Sequence, residues 1–80
     1  MTDVLEKPRL RRKEASAYLL QRHGVTMATR TLAKLACIGG GPAFRRDGRI
    51  PVYDRTELDR WALARLGEPM SSTSEEVAHG

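Results

Sequence analysis

The fold is decided by Thr26-Met27-Ala28-Thr29-Arg30-Thr31-Leu32-Ala33-Lys34-Leu35-Ala36-Cys37, which runs through Ile38 into the triplet Gly39-Gly40-Gly41 and then Pro42. Read as a helix capped by Thr26, the stretch places Ala28, Leu32, Leu35 and Ala36 on one stripe, because those positions recur at helical spacing. That stripe is expected to face inward. The opposite side then carries Met27, Arg30, Ala33 and Lys34. Two cations four residues apart, set among small or unbranched side chains, make a ridge that fits a nucleic-acid groove.

Upstream, Arg11 to Arg22 has a helical pattern with Ala15, Tyr18 and Leu19 as its buried stripe and Leu10 packing from just outside. Arg11, Arg12 and Lys13 crowd the start of this helix, where the macrodipole is already positive and each unpaired cation costs about 0.3 to 1 kcal/mol. A bound phosphate relieves that conflict; screening by Glu14 and solvent relieves it equally well. His23-Gly24 ends the helix, glycine suiting the left-handed conformation after a last turn, and Val25 is expected to tuck into the core. A helix, a tight glycine-containing turn and a second helix predict a helix-turn-helix.

Downstream, Ala43 to Tyr53 reads as two β-prone runs around Asp47-Gly48, a hairpin signal. A two-residue loop there puts Phe44 on the opposite face from Ile50 and Val52 and leaves Pro51 where its missing N–H is needed. A three-residue loop, Asp47-Gly48-Arg49, sets Phe44 opposite Val52 and Arg46 opposite Ile50, and lets Pro51 fall at a non-hydrogen-bonded pair. The longer loop is the preferred reading. Either way Arg45, Arg46 and Arg49 gather around the tip. Asp54 and Glu57 form a D-x-x-E capping pattern, so a last helix is expected to begin at Arg55, with Leu58, Trp61, Ala62 and Leu66 on one face and Trp61 as the largest piece of the core. Gly67 and Pro69 stop it.

The predicted fold is therefore mainly α with a small β-hairpin wing, a winged helix-turn-helix over residues 9–66. A flexible arm (1–8) precedes it and a disordered acidic tail (67–80) follows. Eighty residues make one domain, burying roughly 60% of the surface exposed when unfolded. All fourteen Lys and Arg lie between Lys7 and Arg65 with five acids, a net +9. Such a surplus attracts polyanions, which makes nucleic acid the leading partner. The single cysteine, Cys37, cannot form an internal disulfide and is expected to be a small packed side chain. With no apolar leader, and no run near the roughly 20 residues that cross a bilayer, the expected location is cytoplasmic, without membrane contact.

The residues also resemble a known family. Leu10 with Glu14-Ala15-Ser16-Ala17-Tyr18-Leu19, then Gly24-Val25-Thr26, Arg30-Thr31-Leu32, Gly41-Pro42, Gly48-Arg49, Val52-Tyr53, and Asp54 to Trp61 look like the small winged helix-turn-helix proteins of the excisionase and AlpA-like group, related to the DNA-binding domain of MerR regulators. The resemblance covers roughly Arg9 to Leu66. It departs at Arg11, where the group usually has a capping Ser or Thr, and at the longer turn into the second helix. It implies double-stranded DNA binding, with the second helix in the major groove through Met27, Thr29, Arg30, Ala33 and Lys34, and the wing on an adjacent minor groove or the backbone through Arg45, Arg46 and Arg49. It implies a recombination directionality factor that bends DNA at an element's attachment site and helps an integrase or other recombinase excise it. An AlpA-like transcription regulator is the alternative, and a protein-interaction module a third reading.

Arg30 is expected to read a base, since a guanidinium bidentate to guanine is the commonest specific contact. Lys34, Thr29, Arg45, Arg46 and Arg49 are expected on phosphates, joined by Arg11, Arg12 and Lys13. Tyr18, Phe44, Tyr53 and Trp61 all occupy positions that read as buried, which leaves no stacking platform for single strands. His23 and His79 lack zinc-site spacing, and no nucleophile set, phosphate loop or carboxylate pair is legible, so neither an enzyme nor a metal or other cofactor is expected. One such module buries roughly 600 to 1,000 Å² on DNA, and no heptad repeat offers a dimer, so cooperative self-association on DNA is expected.

Overall fold

The computed structural model describes residues 5–71. Three helices and a three-stranded antiparallel sheet follow in the order β1 (Arg9–Leu10), α1 (Arg12–His23), α2 (Thr29–Ile38), β2 (Arg45–Asp47), β3 (Ile50–Asp54) and α3 (Arg55–Leu66), with the strands arranged β1-β3-β2. The core is Leu10, Ala15, Tyr18, Leu19, Val25, Met27, Leu32, Tyr53, Leu58 and Ala62, with Leu5, Leu35, Phe44 and Trp61 packed against it.

Helix α1 carries the expected buried stripe. Arg11 is its N-cap and offers no side-chain acceptor. Glu14 compensates: its Oε1 accepts the Arg11 backbone N–H at 3.0 Å, and its other oxygen pairs with Lys7. The negative charge of Glu14 also sits in the first turn, where it offsets part of the cost of Arg11, Arg12 and Lys13. At the other end Gly24 adopts φ 67° and ψ 20°, and the turn it makes lets Gly24 N–H reach the Leu20 carbonyl and Val25 N–H the Leu19 carbonyl, both at 3.0 Å. Val25 enters the core as expected.

The second helix begins later than a Thr26 cap requires. Ala28 is the N-cap and Thr29 the first helical residue, while residues 25 to 28 form an extended connection whose side chains alternate inward and outward. Met27, expected on the outer ridge, is therefore buried, and Ala28, expected inside, is exposed. Magnitudes favour this outcome: a Thr cap contributes about 1 kcal/mol, whereas burying a methionine side chain contributes about 1.5 to 3 kcal/mol. The Ser16 hydroxyl donates to the Met27 carbonyl at 2.6 Å and fixes the connection to α1.

The hairpin register also differs from the preferred reading. Arg45 pairs with Val52, Arg46 with Pro51 and Asp47 with Ile50, so the loop is the two residues Gly48-Arg49. Gly48, at φ 67°, takes the first central position, where a II′ turn accepts glycine. Asp47 and Ile50 close the loop as a hydrogen-bonded pair, so Arg46 and Pro51 form the next, non-bonded pair, and the missing N–H of Pro51 costs no ladder bond to β2. Phe44 falls across from Tyr53, their rings 5.6 Å apart.

Helix α3 begins at Arg55 as expected, but the capping box is not formed. The Asp54 carboxylate is held by Arg45 Nε at 2.8 Å and Arg9 Nε at 3.3 Å, and Glu57 pairs with Arg60 at 3.1 Å. Trp61 is only half-buried; its Nε1–H donates to the Gly40 carbonyl at 2.9 Å, tying α3 to the chain after α2. Tyr53 is the largest fully buried side chain, and Leu66 is exposed, because the core ends at Ala62 and the last turn of α3 runs past it. Strand β1 has no counterpart in the sequence reading. Leu10 is nevertheless fully buried and pairs with Tyr53. Of the arm expected over 1–8, Leu5 packs on the core and Arg55 Nη1 donates to its carbonyl. Residues 1–4 of that arm and 72–80 of the expected tail lie outside the described residues.

Candidate nucleic-acid interface

Helix α2 holds Leu32 in the core by burial, and this turns Thr29, Arg30 and Lys34 to solvent, with Ala33 half-buried beside them. Arg30 and Lys34, four residues apart, lie on one side of the helix. Met27 is the sequence-predicted contact that the structure removes from this surface: it is 7% exposed and belongs to the core. Cys37, expected as a packed side chain, is exposed on the last turn of the same helix, because Leu32 and Leu35 take the inward positions.

The charges divide by partner. The carboxylates of Glu14, Asp54 and Glu57 are in ion pairs, with Lys7, Arg9 and Arg45, and Arg60 respectively, and that of Asp59 is in hydrogen-bonding contact with His23. Arg11, Lys13, Arg30, Lys34, Arg46 and Arg49 are exposed and form no ion pair among the described residues. These pairs leave unpaired cations on α2, at the start of α1 and at the hairpin tip, where the exposed carboxylate of Asp47 offsets part of the charge. A positive field of this kind steers polyanions.

The hairpin arginines are not equivalent. Alternation along β2 puts Arg45 on the face of Val52 and Asp54, where its charge is compensated, and puts Arg46 on the face of Phe44, Pro51 and Tyr53. There the Arg46 guanidinium lies 5.7 Å from the Phe44 ring centroid. Arg12 reaches the same ring from the first turn of α1, at 5.9 Å, and its Nε donates to Tyr53 Oη at 3.2 Å. The structure thus brings Arg12 and Arg46 to the same aromatic ring. Phe44 and Tyr53, read from sequence only as buried aromatics, are the residues that do so, and the same-face spacing of Phe44 and Arg46 becomes visible once the hairpin register is known.

A second polar cluster ties α1 to α3. Asp59 Oδ1 accepts from Tyr18 Oη and meets His23 Nε2, each at 2.7 Å. Burial pushes the Asp59 carboxyl up, but the hydrogen bonds from Tyr18 and His23, with the charges of His23 and Arg22, outweigh it and hold Asp59 below its ordinary value. Tyr18 is pushed up, first by burial and then by its bond to Asp59. A shallow cleft of about 320 Å³ opens beside this cluster, lined by Leu5, Tyr18, Arg22, Arg55, Thr56 and Asp59.

Among the described residues no group of three or more His, Cys, Asp or Glu is placed to hold a metal ion, and no helix is long and apolar enough to cross a membrane. His79, excluded from a zinc site on spacing, lies outside those residues. The chain matches no protein-family model and no curated protein sequence.

Proposed function

We propose that this chain is a double-stranded-DNA-binding module of the winged helix-turn-helix class, with α2 entering the major groove and the β2–β3 hairpin lying along the adjacent minor groove or backbone. One observation carries the reading: Arg30 and Lys34 stand exposed on one side of α2, opposite the buried Leu32, with no carboxylate partner among the described residues. In these roles Arg30 reads a base edge, while Thr29, Lys34, Arg46, Arg49, Arg11 and Lys13 position the domain on phosphates.

Within that class, the particular role we infer is a recombination directionality factor. It binds adjacent sites at an element's attachment region, bends the DNA and promotes excision by an integrase. A surface this small needs neighbouring copies for useful occupancy, since one such module covers roughly 600 to 1,000 Å².

Titration of labelled duplexes at several salt concentrations tests the class: neutralising about six phosphates gives a log-log slope near −5, whereas a flat response points to a protein partner. Circular-permutation gel shifts test the role, for which a bent complex holding more than one protomer is expected. A straight complex with one protomer, or reporter control in cells without integrase, assigns promoter regulation instead.

A further inference from the structure

We propose that Phe44 is a positioning residue that locks Arg12 and Arg46 into one two-pronged grip on the phosphodiester backbone; the inference rests on the duplex-DNA reading above. Both guanidiniums lie within cation–π range of the Phe44 ring, at 5.9 and 5.7 Å from its centroid. They come from different elements, Arg12 from the first turn of α1 and Arg46 from β2. The ring is itself fixed. It packs on the core and against Tyr53, which is 1% exposed and paired through its backbone with Leu10.

Two like charges share one apolar ring, neither of them in an ion pair among the described residues; Asp47, next to Arg46 in the chain, falls on the other face of β2. Arg12 spends its Nε on Tyr53 Oη, and its Nη groups have no hydrogen-bond partner among the described residues. The Arg46 guanidinium makes no hydrogen bond among them, so the ring is what orders it. Intramolecular bonding thus leaves these donors unsatisfied, while the π face restricts the motion of the stems that carry them. A ligand of matching chemistry is anionic, rich in oxygen acceptors and repeated at short spacing, as backbone phosphates are. Ordering both cations before contact lowers the entropic cost of binding. Because one prong belongs to α1 and the other to the hairpin, the grip also fixes how the two elements sit on the duplex.

The test measures binding of a labelled mixed-sequence 20-base-pair duplex by fluorescence anisotropy across salt concentrations, for the full chain, for F44L, F44Y, R12Q, R46Q and R12Q/R46Q, and for the three arginine variants combined with F44L. F44L keeps both charges. It is nonetheless expected to weaken binding about twofold to fivefold for each lost ring contact, on the order of tenfold together. F44Y restores the π face and wild-type affinity. R12Q and R46Q are each expected to flatten the salt slope by about 0.9, and their combined loss is non-additive in the Phe44 background but additive in F44L. NMR of the free protein gives a readout independent of DNA: ring-current-shifted Arg12 and Arg46 side-chain resonances are present in wild type and F44Y and absent in F44L. Thermal unfolding checks the fold, and F44M, which also fills the site without a π face, carries the same expectations should F44L unfold. Wild-type affinity and slope in F44L, or unshifted arginine resonances in wild type, overturn the proposal and leave the duplex-binding reading intact. Failure of the wild-type chain to bind any duplex overturns both.

Discussion

Arg45 Nε lies 2.8 Å from Asp54 Oδ2, so the arginine that follows Phe44 in sequence spends its charge on the residue just before α3, while Arg46 faces solvent without an ion-pair partner among the described residues. Neighbours in the chain thus differ in what they offer a polyanion. The pair is exposed on the arginine side and contributes little to stability. Its consequence is for binding.

Arg46→Ala is expected to weaken duplex binding for all sequences alike and to reduce the salt slope by about 1. Arg45→Ala should change both less, since Asp54 already offsets that charge. Asp54→Asn releases Arg45 and Arg9 together and is expected to tighten non-specific binding and steepen the slope. Anisotropy titrations of the three variants at matched salt check the order, with circular dichroism confirming that α3 is intact.

Arg30→Ala should alter which sequences are preferred as well as how tightly, at a cost of about 1 to 3 kcal/mol on the preferred site. Selection of bound duplexes from a random pool, wild type against variant, reads this out. An unchanged consensus with uniformly weaker binding would place Arg30 on a phosphate.

Met27 separates a packing role from a contact role. Met27→Ala is expected to destabilise by about 2 to 5 kcal/mol through the cavity it leaves, whereas Met27→Leu should cost under about 1.5 kcal/mol and leave the preferred DNA sequence unchanged. Urea unfolding combined with the same selection experiment distinguishes the two roles.

Two glycines carry backbone predictions. Gly24→Ala forces a side chain into the left-handed region at φ 67° and should cost about 1 to 2 kcal/mol, a fall in Tm of roughly 4 to 8 °C per kcal/mol for a domain of this size. At Gly41 the backbone is unstrained but space is short: an added Cβ would lie 2.9 Å from Leu35 Cβ, beside the helix backbone, so Gly41→Ala must shift the chain or α2. Differential scanning calorimetry should show both variants melting below wild type.

Acid should unfold the domain through two carboxylates. Hydrogen bonding by Lys7 and by the Arg11 N–H lowers the Glu14 carboxyl, and Tyr18 and His23 lower Asp59 against the opposing effect of burial. Both bind protons more readily in the unfolded chain, whose ordinary values lie near about 3.9 to 4.3. Their contribution is therefore complete above that range and is lost as pH falls through the lower folded values. Urea midpoints measured from pH 6 down to pH 2 should fall along that sequence. Asp59→Asn should flatten the dependence in the acid limb.

Much of the helical framework is legible without coordinates. Ala15, Tyr18 and Leu19 repeat at helical spacing, Gly24 stands where a left-handed residue must follow the last turn, and Asp54-Arg55 marks the start of α3. Arg30 and Lys34 are placed outward by the same spacing that buries Leu32. Strand β1 is not legible in the sequence because two residues have no period, and its strand pairing depends on β3, more than forty residues away in the chain. The start of α2 differs from the sequence expectation because a local cap at Thr26 competes with the burial of Met27, and only the finished core sets the size of that second effect.

By itself, then, the sequence determined the order of helices and hairpin and the concentration of positive charge, because propensity, capping glycines and charge count are local properties of the chain. Tertiary structure decided which cations are left free. A shift of one residue in the hairpin exchanges the two faces of β2, and the choice between them was made by Phe44 meeting the Tyr53 ring over the core. That contact sends Arg45 to Asp54 and Arg46 to the ring it shares with Arg12.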